Sequence, residues 1–286
     1  MRIFKIMAAG LGMAAAFVLW QAQELTRFNR TRYTVHSKKL KGRHRFVVLA
    51  DLHLWRYGRH NERLLAAIRD EAPEAVFIPG DLIVHTKPER FFVAKELIAE
   101  LVKIAPVYIS NGNHESRLEQ PENENFEAYQ ALKQKLYSLG AHLLNNRAEC
   151  YTANGDRITV HGLELPLYYY RKGHETPLAE DALLQCLGTA DERAFHVLLA
   201  HTPKYTSKYL AWGADLCLSG HYHGGLVCIP GIGSVISPQF ELFPKHSFGR
   251  FEQDGRVALV SRGLGTHTFH IRVFNRSELL VVEAGP

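Results

Sequence analysis

A chain of 286 residues, 46% of them hydrophobic, is long enough to bury one large core. Its formal charge of +5 is concentrated at one end: ten of 34 Lys/Arg and one of 29 Asp/Glu lie in residues 1–45, leaving 24 basic and 28 acidic residues, a charge of −4, on residues 46–286. That balance argues against a nucleic-acid-binding fold, whose basic patch sits on the folded surface. Four cysteines without a C-x-x-C pair exclude a disulfide framework and a thiolate zinc site.

Residues 6–20 (IMAAGLGMAAAFVLW) form an unbroken apolar run behind Arg2 and Lys5. An uncleaved membrane anchor over residues 1–23 is expected, because residues 20–22 (WQA) make a poor signal-peptide cleavage site. Eight basic residues and no acid follow in 25–45. They predict a basic juxtamembrane linker, 24–44, lying on the anionic surface of the cell membrane, with the folded domain, 45–286, on the cytoplasmic face.

Alternating short apolar runs and amphipathic segments follow. Residues 45–50 (RFVVLA), 75–79 (AVFIP) and 106–110 (PVYIS) read as short buried strands, and 61–71 and 88–104 between them as helices. Strand, helix, strand, helix, strand implies a parallel α/β sheet with right-handed crossovers. A helix is expected near 123–139, then strands around 141–144 and 157–163. Residues 166–177 (PLYYYRKGHETP) read as a surface insertion. The pattern resumes with a strand at 195–200 (FHVLLA), a helix at 204–212 and a strand at 215–219 (DLCLS). Short strands, including 257–261 and 279–282, close the chain.

Five of these strands run into polar clusters: Asp51 and His53; Gly80-Asp81; Asn113-His114-Glu115; His201; and His221 and His223 of Gly220-His221-Tyr222-His223. In open α/β sheets ligands bind beyond the carboxyl ends of the strands, so the five clusters are expected to converge on one rim. Singly, each is as readily a turn or a cap. As an ordered set they point to a site.

The order D-x-H, G-D, G-N-H-E, A-H and G-H-x-H resembles the calcineurin-like metallophosphoesterases. The apolar N-terminus, residues 200–203 (AHTP), 219–225 (SGHYHGG) and 261–265 (SRGLG) resemble its membrane-associated bacterial YkuE/YaeI-like phosphodiesterase branch. The resemblance implies a sandwich of two mixed β-sheets flanked by helices. It implies one divalent metal on Asp51, His53 and His223, a second on Asn113, His201 and His221, and Asp81 bridging them, with His114 acting at the leaving oxygen and Glu115 or another carboxylate near the site orienting it. Such ligands suit Mn²⁺, Fe or Zn²⁺. The activity implied is hydrolysis of a phosphate ester or anhydride, lipid-linked substrates included, by a hydroxide shared between the metals. A binding or scaffold module without turnover is the alternative. The Asp-Arg pair of the protein phosphatases is absent after Asp81. His85, His161, His174, His267 and His270 are assigned no role. Trp55, Tyr57, Tyr168, Tyr169, Tyr170, Phe240 and Phe243 are read as ordinary core and surface aromatics rather than a substrate rim.

Overall fold

Strands buried along their whole length need cover on both faces, and the chain supplies it by alternation. In residues 46–49, Phe46 and Val48 join one core cluster while Val47 and Leu49 join another. Residues 75–78 divide likewise, Ala75 and Phe77 against Val76 and Ile78. A period of two thus builds two cores, one on each side of the sheet.

The computed structural model describes residues 2–171, 176–225, 227–229, 231–237, 241–266 and 270–286. Its first half runs α1 (Arg2–Leu25), β1 (Phe28–His36), β2 (His44–Val48), α2 (Glu62–Glu71), β3 (Ala75–Pro79), α3 (Phe92–Leu101), β4 (Val107–Ser110), α4 (Asn113–Leu118), α5 (Phe126–Ser138) and β5 (His142–Leu143). The second half runs β6 (Arg147–Ala153), β7 (Asp156–Leu163), α6 (Ala182–Leu187), β8 (Phe195–Ala200), α7 (Thr206–Trp212) and β9 (Leu216–Ser219), then β10 (Val227–Ile229), β11 (Gly233–Ile236), β12 (Gly249–Gln253), β13 (Arg256–Val260) and β14 (Ser277–Gly285).

Two six-stranded mixed sheets result, in the orders β1-β14-β2-β3-β4-β5 and β12-β13-β9-β8-β7-β6. They face one another across Phe46, Phe77 and Val282 on one side and Val160, Val197 and Leu218 on the other. α2, α3 and α5 cover the outer face of the first sheet, and α7 that of the second. The strands β2, β3 and β4 run parallel in one sheet, and β8 and β9 in the other.

The predicted strands and helices of residues 45–219 are present with small shifts at their ends. Part of the segment expected as a basic juxtamembrane linker is a strand of the fold. Residues 28–36 form β1, which pairs in parallel with β14 over nine residues at the sheet edge. Its basic side chains meet acids of the fold: Arg30 reaches Asp70 and Glu71, Arg32 reaches Glu71, and beyond the strand Lys39 reaches Asp215 and Arg45 reaches Glu283. Charge alone reads as a solvated tail; the acidic partners lie 39 or more residues away, beyond the reach of local pattern. The apolar run 6–20 lies in α1. Among the described residues no helix is long and apolar enough to cross a membrane.

The insertion expected at 166–177 is also more internal than its composition suggests. Tyr169 and Tyr170 are buried in the core beneath α6 and α7, while residues 172–175, with His174, lie outside the described set.

His161 illustrates a buried group unrelated to the site. It packs edge-on against Trp212, its Nε2 lies 2.9 Å from Nδ1 of His196, and its own Nδ1 is buried without a hydrogen-bond partner. Burial, then the neighbouring His196, pushes it from 6.5 down to about 4. The unfolded chain therefore binds a proton that the fold refuses. The neutral ring's stability is present above pH 6.5 and is lost as pH falls towards 4, at a cost on the order of 3 kcal/mol. Urea unfolding of His161→Phe should lose much of the pH dependence that the parent shows in that window.

Candidate metal centre

Each candidate ligand stands in the loop just past a strand end, and these loops are tightly wound. Asp51, His53, Asp81, His221 and His223 all have positive φ, between 49° and 70°. For residues with a Cβ this conformation costs roughly 1–3 kcal/mol each and persists where the surroundings over-determine it. Glycines make room. A Cβ on Gly112 would lie 2.2 Å from Asp81 Oδ1, and one on Gly220 2.4 Å from Asp51 Oδ2. Gly112→Ala should therefore displace the Asp81 carboxylate and weaken metal retention about tenfold or more, as loss of an orienting contact does, measurable as the chelator concentration that strips the protein.

The side chains converge. Asp51, His53 and His223 offer ligand atoms within 4.8 Å of one another; so do Asp81, His201 and His221; and His53, Asp81 and His114 form a third overlapping group. All are buried. Three imidazoles are oriented alike: Nδ1 of His53 lies 3.3 Å from the Ile83 carbonyl, Nδ1 of His201 2.9 Å from that of Pro79, and Nδ1 of His223 3.1 Å from that of Gly265. A ring whose Nδ1–H donates outward presents an Nε2 lone pair inward, the arrangement of metal-binding histidines. Nε2 of His53 and His223 indeed face each other at 3.1 Å. Nε2 of His201 is buried 3.1 Å from Asp81 Oδ2.

Asn113 tells the same story. Its amide oxygen faces Nδ1 of His221, while its amide nitrogen faces two donors, Nη1 of Arg117 and the backbone N–H of His114. The amide thus stands between His221 of the second group and the start of α4. The residues present thus fit divalent cations by donor type, by burial and by lone-pair direction.

Electrostatics agree. Burial, opposed by His201 and reinforced by Asp81, raises Asp51 to about 7. Burial would also raise Asp81, yet His201, His114 and His53 together hold its carboxyl well below the usual range. Burial lowers His201, but Asp81 and Asp51 outweigh it and bring the ring to about 9. Such opposed shifts inside one dry cluster mark a site built around charge.

Glu115 does not orient His114, as was expected. Its carboxylate accepts the backbone N–H groups of Asp81 at 2.9 Å, Gly112 at 2.9 Å and Ile83 at 3.1 Å, tying the loop after β3 to the start of α4. Burial, then Asp81, raises its pKa to about 8. The imidazole of His114 is met by His85 instead, whose Nδ1 lies 2.8 Å and whose backbone nitrogen 3.2 Å from Nδ1 of His114. Sequence gave no sign of that pairing, since the two lie on different loops. Tyr170 is a second addition: buried, it stands edge-on to His221, ring centroids 5.2 Å apart. A third is Arg272, fully buried, which donates to the carbonyls of Arg262, Gly263, Gly265 and Asn275. Behind Asp51 and His223 it fixes the loop that carries Gly265. His161 lies away from the site against Trp212. His270 packs on Trp55 and contacts Thr266. Tyr57 is core, its hydroxyl bonded to the Leu264 carbonyl. His267 and Phe240 lie outside the described residues.

A fold of two facing mixed sheets, with a carboxylate–imidazole cluster at the strand ends of both, defines a protein whose side chains could hold divalent metal ions. The model of the calcineurin-like phosphoesterase family matches residues 44–225, well over half the chain. The chain belongs to that family and is a hydrolase acting on phosphoric esters. Relatives include the metallophosphoesterase YkuE of Bacillus subtilis, 29% identical over a match that spans 39% of this chain and 44% of YkuE. YpbG of the same organism is 24% identical over 99% of this chain and 98% of its own length. The phosphodiesterase YaeI of Escherichia coli is 23% identical over 84% of this chain and 81% of its own.

Proposed function

We propose that this chain is a phosphodiesterase, or a pyrophosphatase of related chemistry, that works on a substrate at a membrane surface. In this reading Asp51, His53 and His223 hold one divalent cation, Asn113, His201 and His221 a second, and Asp81 is shared between them. The observation that carries it is the convergence of the buried carboxylates and imidazoles, with ring nitrogens aimed inward. When bound, the cations (Mn²⁺, Fe or Zn²⁺ by donor type) supply an activated water and neutralise charge on the phosphoryl oxygens.

The chain's own residues do the rest. Asp81 stays ionised and holds the two halves of the site in register, Oδ1 accepting the His114 N–H at 2.9 Å. His114 is the group for the leaving oxygen. Its Nδ1 accepts from the His85 backbone N–H, so the neutral ring carries its proton on Nε2 and can donate a hydrogen bond that stabilises the charge building on that oxygen. Glu115 locks the loops that present Asp81 and His114. Burial of the cluster excludes bulk water and strengthens each of these interactions.

The relative named as a phosphodiesterase supports the diester preference. The exposed apolar side chains of α1, including Leu11, Met13, Val18 and Leu19, support a membrane location and the lipid-linked class of substrate. A scaffold without turnover has no use for a full ligand set together with His114. The test is hydrolysis of bis-p-nitrophenyl phosphate against p-nitrophenyl phosphate by the full chain in detergent micelles. Faster turnover of the diester is expected; a strict preference for the monoester would overturn the diester reading, and no turnover from metal-loaded protein would favour the scaffold.

A further inference from the structure

Half of the basic residues first expected to meet the membrane, Arg30, Arg32, Lys39 and Arg45, are paired to acids of the fold. Exposed apolar side chains gather in another place. Ile229 and Ile232 lie on the β10–β11 hairpin, 41% and 65% exposed, Leu242 and Phe243 beside it, 67% and 62%, and Phe274 on its other flank, 66%. These segments form one connected piece. β10 pairs with β11, Val227 bridges to Val273, Ile236 bridges to Leu242, and Phe243 N–H donates to the Val235 carbonyl. Phe274 in turn packs on Trp20 of α1, ring centroids 5.9 Å apart.

The base of α1 is fastened to the same piece. Gln21 exchanges two hydrogen bonds with the backbone of Arg272, at 2.9 and 3.1 Å, and Glu24 pairs with Arg276. The exposed apolar side chains of α1 from Leu11 to Leu19 are thus continuous with the hairpin strip, and the helix end is held at a fixed place beside it.

We propose that a lipid surface docks on this strip, so that α1, the β10–β11 hairpin and residues 241–243 and 271–274 enter the bilayer interface together. The proposal extends the membrane-surface reading above by naming the face that meets the lipid. Isolated apolar side chains on a surface need no occupant, but a connected strip carrying two phenylalanines, continuous with an apolar helix and flanked by a tryptophan, is the composition of a membrane-interface contact. The strip also reaches the site: Arg272, held by Gln21, binds the carbonyls of Gly263 and Gly265, and Gly265 contacts both His223 and Asp51. The docked face would therefore set the metal centre beside the headgroup layer, where a lipid-borne phosphoester is presented at high local concentration.

The test uses the full chain with Cys150→Ser and Cys186→Ser, and a single label site, Phe243→Cys, carrying an environment-sensitive fluorophore. Tyr137→Cys, exposed on α5, is the control. With the protein bound to phosphatidylcholine–phosphatidylglycerol vesicles, lipids brominated in their tails should quench the label at 243 and leave that at 137 unchanged. An unquenched label at 243 on protein that floats with the vesicles would overturn the proposal, as would failure to float at all. A change at 243 that needs no vesicles and grows with protein concentration would overturn it in favour of a second copy of the chain. Neither readout requires turnover, so failure here is distinguishable from failure of the phosphodiesterase reading.

Discussion

Asp81→Asn is expected to abolish turnover, lowering kcat about 10³-fold or more, equivalent to about 4 kcal/mol of barrier. The substitution keeps the volume and an oxygen that can accept the His114 N–H, so the fold should persist. What it removes is a carboxylate charge close to both triads, Oδ2 lying 3.1 Å from His201 Nε2 and 3.8 Å from His53 Nε2. Two dications placed near each other repel, and an amide offsets that repulsion far less than a carboxylate. Elemental analysis should find the metal content roughly halved, with unchanged far-UV circular dichroism. Full metal content together with parental kcat would remove Asp81 from the account.

His114→Ala should leave metal content intact and lower kcat by about 10²–10⁴-fold, the range for loss of a positioned acid. The loss should depend on the leaving group. A p-nitrophenolate departs without much help, so its diester should suffer least, and an alkyl ester most. The third ligand-bearing group, His53, Asp81 and His114, gives the experiment its contrary outcome. If His114→Ala loses metal and all substrates slow equally, the imidazole is a ligand and not an acid. His85 should act through His114: His85→Ala ought to shift the pH profile of kcat while leaving metal content alone, because it alters what Nδ1 of His114 meets.

Much of the site was legible because its logic is local. Each ligand directly follows an apolar strand, and a parallel α/β arrangement carries strand ends to one rim whatever the details of packing. The five clusters that hold Asp51, His53, Asp81, Asn113, His201, His221 and His223 could be gathered on that ground before any coordinate, and the family resemblance picked these seven out of them. What could not be read depends on contacts between distant loops. Glu115 looked like a partner for the adjacent imidazole, but the first turn of α4 points it back at the loop after β3, where three N–H groups need an acceptor. Tyr170 sat in a stretch whose charge and glycine read as surface, and only the packing of α6 and α7 over it makes it internal. β1 was hidden for a related reason: an edge strand pairs on one side alone, so it can be rich in Arg and Thr and show little apolar alternation. The β10–β11 hairpin is short and flanked by glycine, below what periodicity can resolve.

The central claim, a binuclear phosphoesterase site on these seven side chains, is tested most directly by metal counting coupled to turnover. Full-length protein in detergent would be stripped with EDTA, reloaded with Mn²⁺, Zn²⁺ or Fe²⁺, and assayed against bis-p-nitrophenyl phosphate at each loading. The account predicts no activity in stripped protein and recovery that reaches its plateau at two ions per chain. Folded protein that binds no ion, or full activity with none bound, would contradict it.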